Sequence, residues 1–178
     1  MSGRVFIVAA ESSGDALGAD LARALKARDA GVDLAGVGGL LMAEAGIKSR
    51  ADIKGLAILG YFDALMAYGR VKRAVNATVA AIIEAQPHAV VLIDSWGFTL
   101  RVAQGVRKLA PRIKLVKFIG PQVWATRAGR ARTLAAAVDH LVCIHDFEVL
   151  YYTPYGLDCT VCGHPAFGRF QAGDGAAL

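Results

Sequence analysis

Val5-Phe6-Ile7-Val8-Ala9-Ala10 runs directly into Glu11-Ser12-Ser13-Gly14-Asp15 and then into Ala16-Leu17. Six consecutive apolar residues, bounded by a polar cluster, read as a short strand covered on both faces. From Asp15 to Arg28 the period changes. Leu17, Leu21 and Leu25 recur every four residues, the spacing of a helix stripe. A covered strand followed at once by a helix is the first half of a strand–helix–strand unit. The polar loop joining them then lies beyond the carboxyl end of the strand, where open α/β sheets bind their ligands.

The same alternation continues along the chain. Strand-like runs occur at Arg4–Ala9, Asp33–Val37, His88–Ile93, Lys114–Ile119, His140–Ile144 and Cys159–Cys162. Helical patterns occupy Asp15–Arg28, Tyr61–Gln86, Phe98–Leu109, Ala128–Ala137 and Phe147–Tyr155. Gly69 is a point where the long alanine-rich helix can kink, and Pro87 and Pro111 mark helix ends. A short helix is expected around Leu40–Ala45 and an extended piece near Ile53–Leu59. The expected fold class is α/β: a doubly wound, mostly parallel, Rossmann-like sheet with right-handed crossovers. Residues 1–165 read as one domain. Gly173-Asp174-Gly175-Ala176-Ala177-Leu178 reads as a loop and the start of another helix, so residues 166–178 are expected to begin a connection to a further domain.

With 178 residues, 55% hydrophobic and 20% charged, the composition is that of a globular chain rather than a disordered one. No apolar run approaches the roughly 18 residues of a membrane span. The N-terminal apolar stretch lacks a signal-peptide cleavage pattern, so the expected compartment is the cytoplasm. Cys143, Cys159 and Cys162 form no even framework. Cys159-Thr160-Val161-Cys162 has redox-motif spacing but lies on a strand, so these read as ordinary strand cysteines. The net charge is +5. The excess gathers at Arg70/Lys72/Arg73, at Arg107/Lys108/Arg112/Lys114/Lys117 and at Arg127/Arg130/Arg132. Such groups are either solvated faces or an attraction to anions. No nucleic-acid module or aromatic–basic interleaving accompanies them. A phosphorylated substrate or an acidic lipid surface is the expected partner, and nucleic acid is not.

The loops after the strands collect the candidate chemistry. Glu11, Ser13, Gly14 and Asp15 follow the first strand, and Gly38 and Gly39 the second. Asp94 follows the third; Gln122, Trp124 and Arg127 follow the fourth, His145 and Asp146 the fifth, and His164 the sixth. Ser13 and Asp15 have helix capping as a rival role, and Gly38-Gly39 a tight turn. Asp94 ends the apolar run Val90-Val91-Leu92-Ile93. A partly desolvated carboxylate there is a candidate general base, with capping of the next helix as the alternative. Trp124, just after Pro121, reads as a pocket wall. Arg127 is a phosphate ligand or a solvent-facing charge, and His164 a ligand or the anchor of a turn before Pro165. No GxGxxG, P-loop, HExxH, DxD or GxSxG occurs, which argues against dinucleotide binding, metal-dependent transfer and serine hydrolysis. No residue is assigned to a metal.

Taken in order, these segments resemble the lipid-A-disaccharide synthase family. The resemblance is carried by Ala10 to Gly18, Gly36-Val37-Gly38-Gly39 with Met42 and Gly46, and Leu56-Ala57-Ile58-Leu59-Gly60. It continues through Ile93-Asp94, Pro121-Gln122-Val123-Trp124-Ala125-Thr126-Arg127, Phe147-Glu148 and Gly163-His164-Pro165. It implies the N-terminal half of a two-domain GT-B inverting glycosyltransferase. That enzyme joins UDP-2,3-diacylglucosamine to 2,3-diacylglucosamine 1-phosphate and releases UDP, with the UDP-sugar as substrate and no cofactor. The resemblance implies an acceptor-side domain, Asp94 as base toward the acceptor's 6-hydroxyl, and a donor-binding half or a homo-oligomer as partner. It further implies peripheral attachment to the anionic cytoplasmic face of the inner membrane. The chain departs from the family pattern at Ala10 and Ser12, at Ser95, Trp96, Gly97 and Thr99, and at Gly120, Gln122 and Thr126. A non-catalytic module binding acylated sugars or nucleotide sugars on the same fold is therefore the alternative.

Overall fold

The computed structural model describes residues 3–53 and 64–164. Six strands form one sheet: β1 (Arg4–Ala9), β2 (Asp33–Val37), β3 (Ala89–Ile93), β4 (Lys114–Phe118), β5 (His140–Cys143) and β6 (Asp158–Val161). Their order is β2-β1-β3-β4-β5-β6, and every pair is parallel. The helices are α1 (Ser12–Arg28), α2 (Leu40–Glu44), α3 (Ala64–Ala85), α4 (Trp96–Leu109), α5 (Gly129–Ala135) and α6 (Val149–Tyr152). The sheet is thus doubly wound and Rossmann-like.

Alternation along each strand divides the core into two layers. Phe6, Val8, Val90, Leu92 and Leu115 meet Val79 and Ile82 of α3 and Val102 and Val106 of α4. On the other face Ile7, Ala9 and Ile93 meet Ala19 and Ala22 of α1 and Met42 of α2. The leucine stripe of α1 is only half-buried. Its innermost face is made of Gly14, Asp15, Gly18, Ala19 and Ala22. Small residues there bring the helix close to Met42 and Ile93, whose atoms lie next to the Gly18 backbone.

The observed elements differ from expectation mainly at their ends. Helix α1 begins at Ser12 and α4 at Trp96, each a few residues early. Helix α3 runs through Gly69 without interruption. The expected helix over Phe147–Tyr155 is instead the single turn α6 between 3₁₀ turns at Asp146–Glu148 and Thr153–Tyr155, where Pro154 removes a donor. The expected start of the long helix at Tyr61, most of the extended piece at Ile53–Leu59, the Leu56–Gly60 segment, Pro165 and the connection from 166 onward lie outside the described residues.

At the amino ends of the strands, ionic ties close the sheet. Arg4 reaches Asp33 at 2.5 Å and the Ala85 carbonyl at 2.6 Å. Asp139 accepts from Arg107 and from the Leu115 amide, both at 2.7 Å. No helix among the described residues is long and apolar enough to cross a membrane.

Candidate functional site

The strand order reverses direction at β1. The chain steps from β1 outward to β2, then crosses back to place β3 on the other side of β1. Crevices in doubly wound sheets open at such a switch point, beyond the carboxyl ends of the two strands. Ala9 and Ile93 are register partners, so the loops that follow them, carrying Glu11 and Asp94, are neighbours by topology. Both carboxylates act on the same buried lysine, Lys117 of β4.

Each loop is held differently. Glu11 occupies the N-cap position of α1 but makes no side-chain capping bond, and both it and Ser13 are exposed. Gly14 is buried against Ala9 and Ile93. Asp15 is turned inward. Its carboxylate accepts from the amides of Gly39 at 2.7 Å, Leu41 at 2.9 Å and Met42 at 3.2 Å. It caps α2 from another helix, satisfying amides that have no partner within α2 itself. Gly39 is glycine because a Cβ there would stand 2.6 Å from Asp15 Oδ2. At Gly38 a Cβ would collide with Met42. Gly38 also borders a shallow cavity of about 340 Å³ whose other walls are residues 49–53. Asp15, Gly38 and Gly39 thus form one internal unit that fixes the edge beside the crevice.

Asp94 is half-buried and, with Ser95, adopts the left-handed conformation, φ 44° and 41°. Two successive non-glycine residues there are unusual and must be held by their surroundings. The N-cap of α4 is Ser95, and its side chain makes no capping bond. The holding comes from within the sheet. Lys117, only 2% exposed, donates from Nζ to the Asp94 carbonyl and, at 2.9 Å, to the Thr99 hydroxyl. Thr99 Oγ1 in turn lies 2.8 Å from the Asp94 carbonyl oxygen and 3.0 Å from that of Ser95. Burial lowers the Lys117 ammonium from its usual 10.5 to about 7, while the fields of Asp94 and then Glu11 oppose that fall. The grouping of Lys117 with solvated or anion-attracting basic residues is thereby corrected: it sits on β4, deep under the Asp94 turn. Its signal in the sequence was a charge inside Leu115-Val116-Lys117-Phe118, a run otherwise apolar.

The loop after β4 makes the other wall. Ile119 and Arg127 take positive φ values of 65° and 54°, a strained choice for a β-branched residue such as Ile119. Tyr152 of α6 is buried and donates to the Pro121 carbonyl at 2.9 Å. Burial raises its phenol well above the usual range. Trp124 is 43% exposed and meets Phe147 edge-on at 5.6 Å, and Phe147 stacks on His145 at 5.3 Å. The Glu148 carboxylate accepts from the His145 amide at 3.0 Å. Gln122 and Arg127 are exposed. Arg130 of α5 lies over the Trp96 ring at 5.2 Å, joining the Asp94 and Trp124 loops through a cation–π contact.

Trp124, His145 and Phe147 are thus brought together, as are Glu11 and Asp94. His164 lies exposed beyond β6, three strands along from β3, or about 14 Å at ordinary strand spacing. Cys143 and Cys159 lie on β5 and β6 as expected, whereas Cys162 lies just past the end of β6. Burial raises all three thiols, Cys143 to about 12, which suppresses the reactive thiolate. Among the described residues no group of three or more His, Cys, Asp or Glu is arranged to hold a metal ion.

Comparison with known proteins adds the family. Among solved structures, S. aureus MnaA with UDP superposes with a TM-score of 0.69 at 10% identity, covering 97% of this chain and 49% of that one. A putative UDP-N-acetylglucosamine 2-epimerase from Listeria monocytogenes gives 0.67 at 12%, covering 95% and 51%. At such identities the likeness speaks for the fold. Sequence relatives are closer. Lipid-A-disaccharide synthase of Rhodospirillum centenum is 40% identical over 173 residues, which are 96% of this chain and 43% of that protein. The Bradyrhizobium diazoefficiens enzyme of that name is 40% identical, over 91% and 42%. That of Rickettsia bellii is 38% identical, over 98% and 46%. The chain spans less than half the length of these curated relatives. The family pattern of lipid-A-disaccharide synthetase matches residues 5–174, nearly the whole chain, and the chain belongs to that family.

Proposed function

We propose that this domain is the acceptor side of a lipid-A-disaccharide synthase. It holds 2,3-diacylglucosamine 1-phosphate in the crevice between β1 and β3, and Asp94 takes the proton from the acceptor's 6-hydroxyl. The oxygen attacks the anomeric carbon of UDP-2,3-diacylglucosamine. A new C–O bond forms on one face while the bond to the UDP phosphate breaks on the other, its electrons leaving with UDP. One base and one displacement give inversion. The UDP-sugar enters as a substrate contributed through a donor-binding half, and the reading assigns no cofactor.

The observation that carries this reading is the position of Asp94: a half-buried carboxylate residue in a braced left-handed turn at the switch point, beside Glu11. Other features support it. The exposed apolar groups Leu40, Leu41, Trp124 and Phe147 all follow the carboxyl ends of strands, a suitable rim for acyl chains. Arg127 supplies a cation for a sugar phosphate, and the exposed basic residues suit peripheral contact with an anionic membrane on its cytoplasmic side.

The test is Asp94→Asn in an enzyme completed with its donor-binding half. Disaccharide formation should fall by at least about a hundredfold, the usual scale of a lost general base, with the fold intact. Unchanged turnover would remove Asp94 from the mechanism. One observation favours a second reading, a non-catalytic binding module. Thr99, where the resembling sequences have Asn, is only 1% exposed, and its hydroxyl is taken up by Lys117 and the carbonyls of Asp94 and Ser95. That reading expects acceptor binding without product even when the donor-binding half is present.

A further inference from the structure

Lys117 stands on β4 with Leu92 of β3 and Leu141 of β5 as its register partners, and all three are sealed from solvent. It is the only cation among the fully buried described residues. Beside it on the sheet stand those two leucines, and α4 brings the neutral Thr99 to its ammonium. The charged groups that face it are Asp94 from the β3–α4 loop and Glu11 from the β1–α1 loop. A buried lysine of this kind is costly to the fold unless its hydrogen bonds are well made. Those bonds go to the backbone carbonyl of Asp94 and to a hydroxyl that itself contacts the carbonyls of Asp94 and Ser95.

We propose that Lys117 is a positioning residue of the crevice: from inside the sheet it pins the left-handed Asp94–Ser95 turn and thereby sets where the Asp94 carboxylate stands. The functional consequence rests on the reading of Asp94 as the acceptor's base; the pinning itself is a property of the free protein. A methionine would fill the same space and keep the packing, but it would neither donate to the Asp94 carbonyl nor bring a charge that Asp94 and Glu11 both feel. Because burial brings that charge to the edge of neutrality near pH 7, the turn should register its loss within an accessible pH range.

The experiment follows backbone amide resonances of the full 178-residue chain by NMR between pH 5.5 and 9, in the wild type, Lys117→Met and Lys117→Gln. The glutamine variant keeps a hydrogen-bond donor should the methionine variant fold poorly. In the wild type the amides of Asp94, Ser95 and Trp96 should move together with one midpoint near 7. In both variants that transition should vanish while amides of α3 keep their positions. A turn that does not titrate in the wild type, or that titrates equally in the variants, overturns the proposal. Titration with 2,3-diacylglucosamine 1-phosphate then separates the two claims. Affinity should fall about fivefold or more in Lys117→Met, the scale of one misplaced polar contact. Wild-type affinity in that variant would overturn the positioning role. Binding by none of the forms, with the Lys117-dependent transition intact, would sink the acceptor reading and uphold the pinning.

Discussion

In the fold the charged form of Lys117 is less favourable by roughly 5 kcal/mol, the free-energy equivalent of moving its pKa from 10.5 to about 7, with burial outweighing the opposing fields of Asp94 and Glu11. The folded protein therefore holds this proton more weakly than the unfolded chain. Below about pH 7 both states are protonated and the penalty is present in full. Between about 7 and 10.5 the unfolded chain binds more protons, so the contribution of this residue to stability rises with pH through that window. Lys117→Met should accordingly be more stable than the wild type at pH 6, by about 1–4 kcal/mol. The gap should shrink as pH is raised to 9, as urea denaturation at the two pH values would measure. A gap that does not change with pH would show that Lys117 is not held as described. At this scale the sequence was only partly readable. The place of Asp94 at the end of β3 was legible because it ends an apolar run, a local pattern. Lys117 was not separated from the surface lysines because its burial depends on Leu92 and Leu141 flanking it in space, and on Thr99 reaching it from the helix before its strand.

Elements here are held by groups from other elements. Helix α2 has only five residues and a glycine N-cap without a side-chain bond, so its amides depend on Asp15 of α1. Asp15→Ala should cost about 2–4 kcal/mol, since three amides lose one shared acceptor. Thermal unfolding checks this, and a loss below 1 kcal/mol would mean that water replaces the carboxylate without difficulty. Sequence placed Asp15 at a ligand edge with capping as the rival, and the structure shows it capping α2, a partner 24 residues and more away. Local pattern can show that a residue caps but not which distant helix it serves. The same limit applies to Tyr152, whose bond to the Pro121 carbonyl crosses 31 positions. By contrast, the strands and long helices were legible to within a few residues, because period 2, period 3.6 and Pro87 or Pro111 are all local signals. The run over Phe147–Tyr155 differs from expectation in kind: its apolar spacing suits a helix, but Pro154 shortens what the backbone can form.

For the whole molecule, strand order does what no single motif could. With β3 returning past β1, the carboxyl ends of those strands bring Glu11, Asp94 and the Lys117-braced turn to one edge of the sheet. The aromatic group of Trp124, Phe147 and His145 rises from the β4 and β5 ends of the same edge. The doubly wound class was readable from alternation alone, whereas the pairing of specific loops required the register of Ala9 with Ile93. Acceptor recognition at this edge is tested by a calorimetric titration of this chain with 2,3-diacylglucosamine 1-phosphate, run beside the same sugar without its phosphate and beside UDP-2,3-diacylglucosamine. Saturable one-to-one binding of the phosphorylated acceptor is expected, about tenfold or more tighter than its dephosphorylated form, the scale of a lost phosphate–cation contact. No binding of the acceptor, or binding of the UDP-sugar in its place, would contradict it.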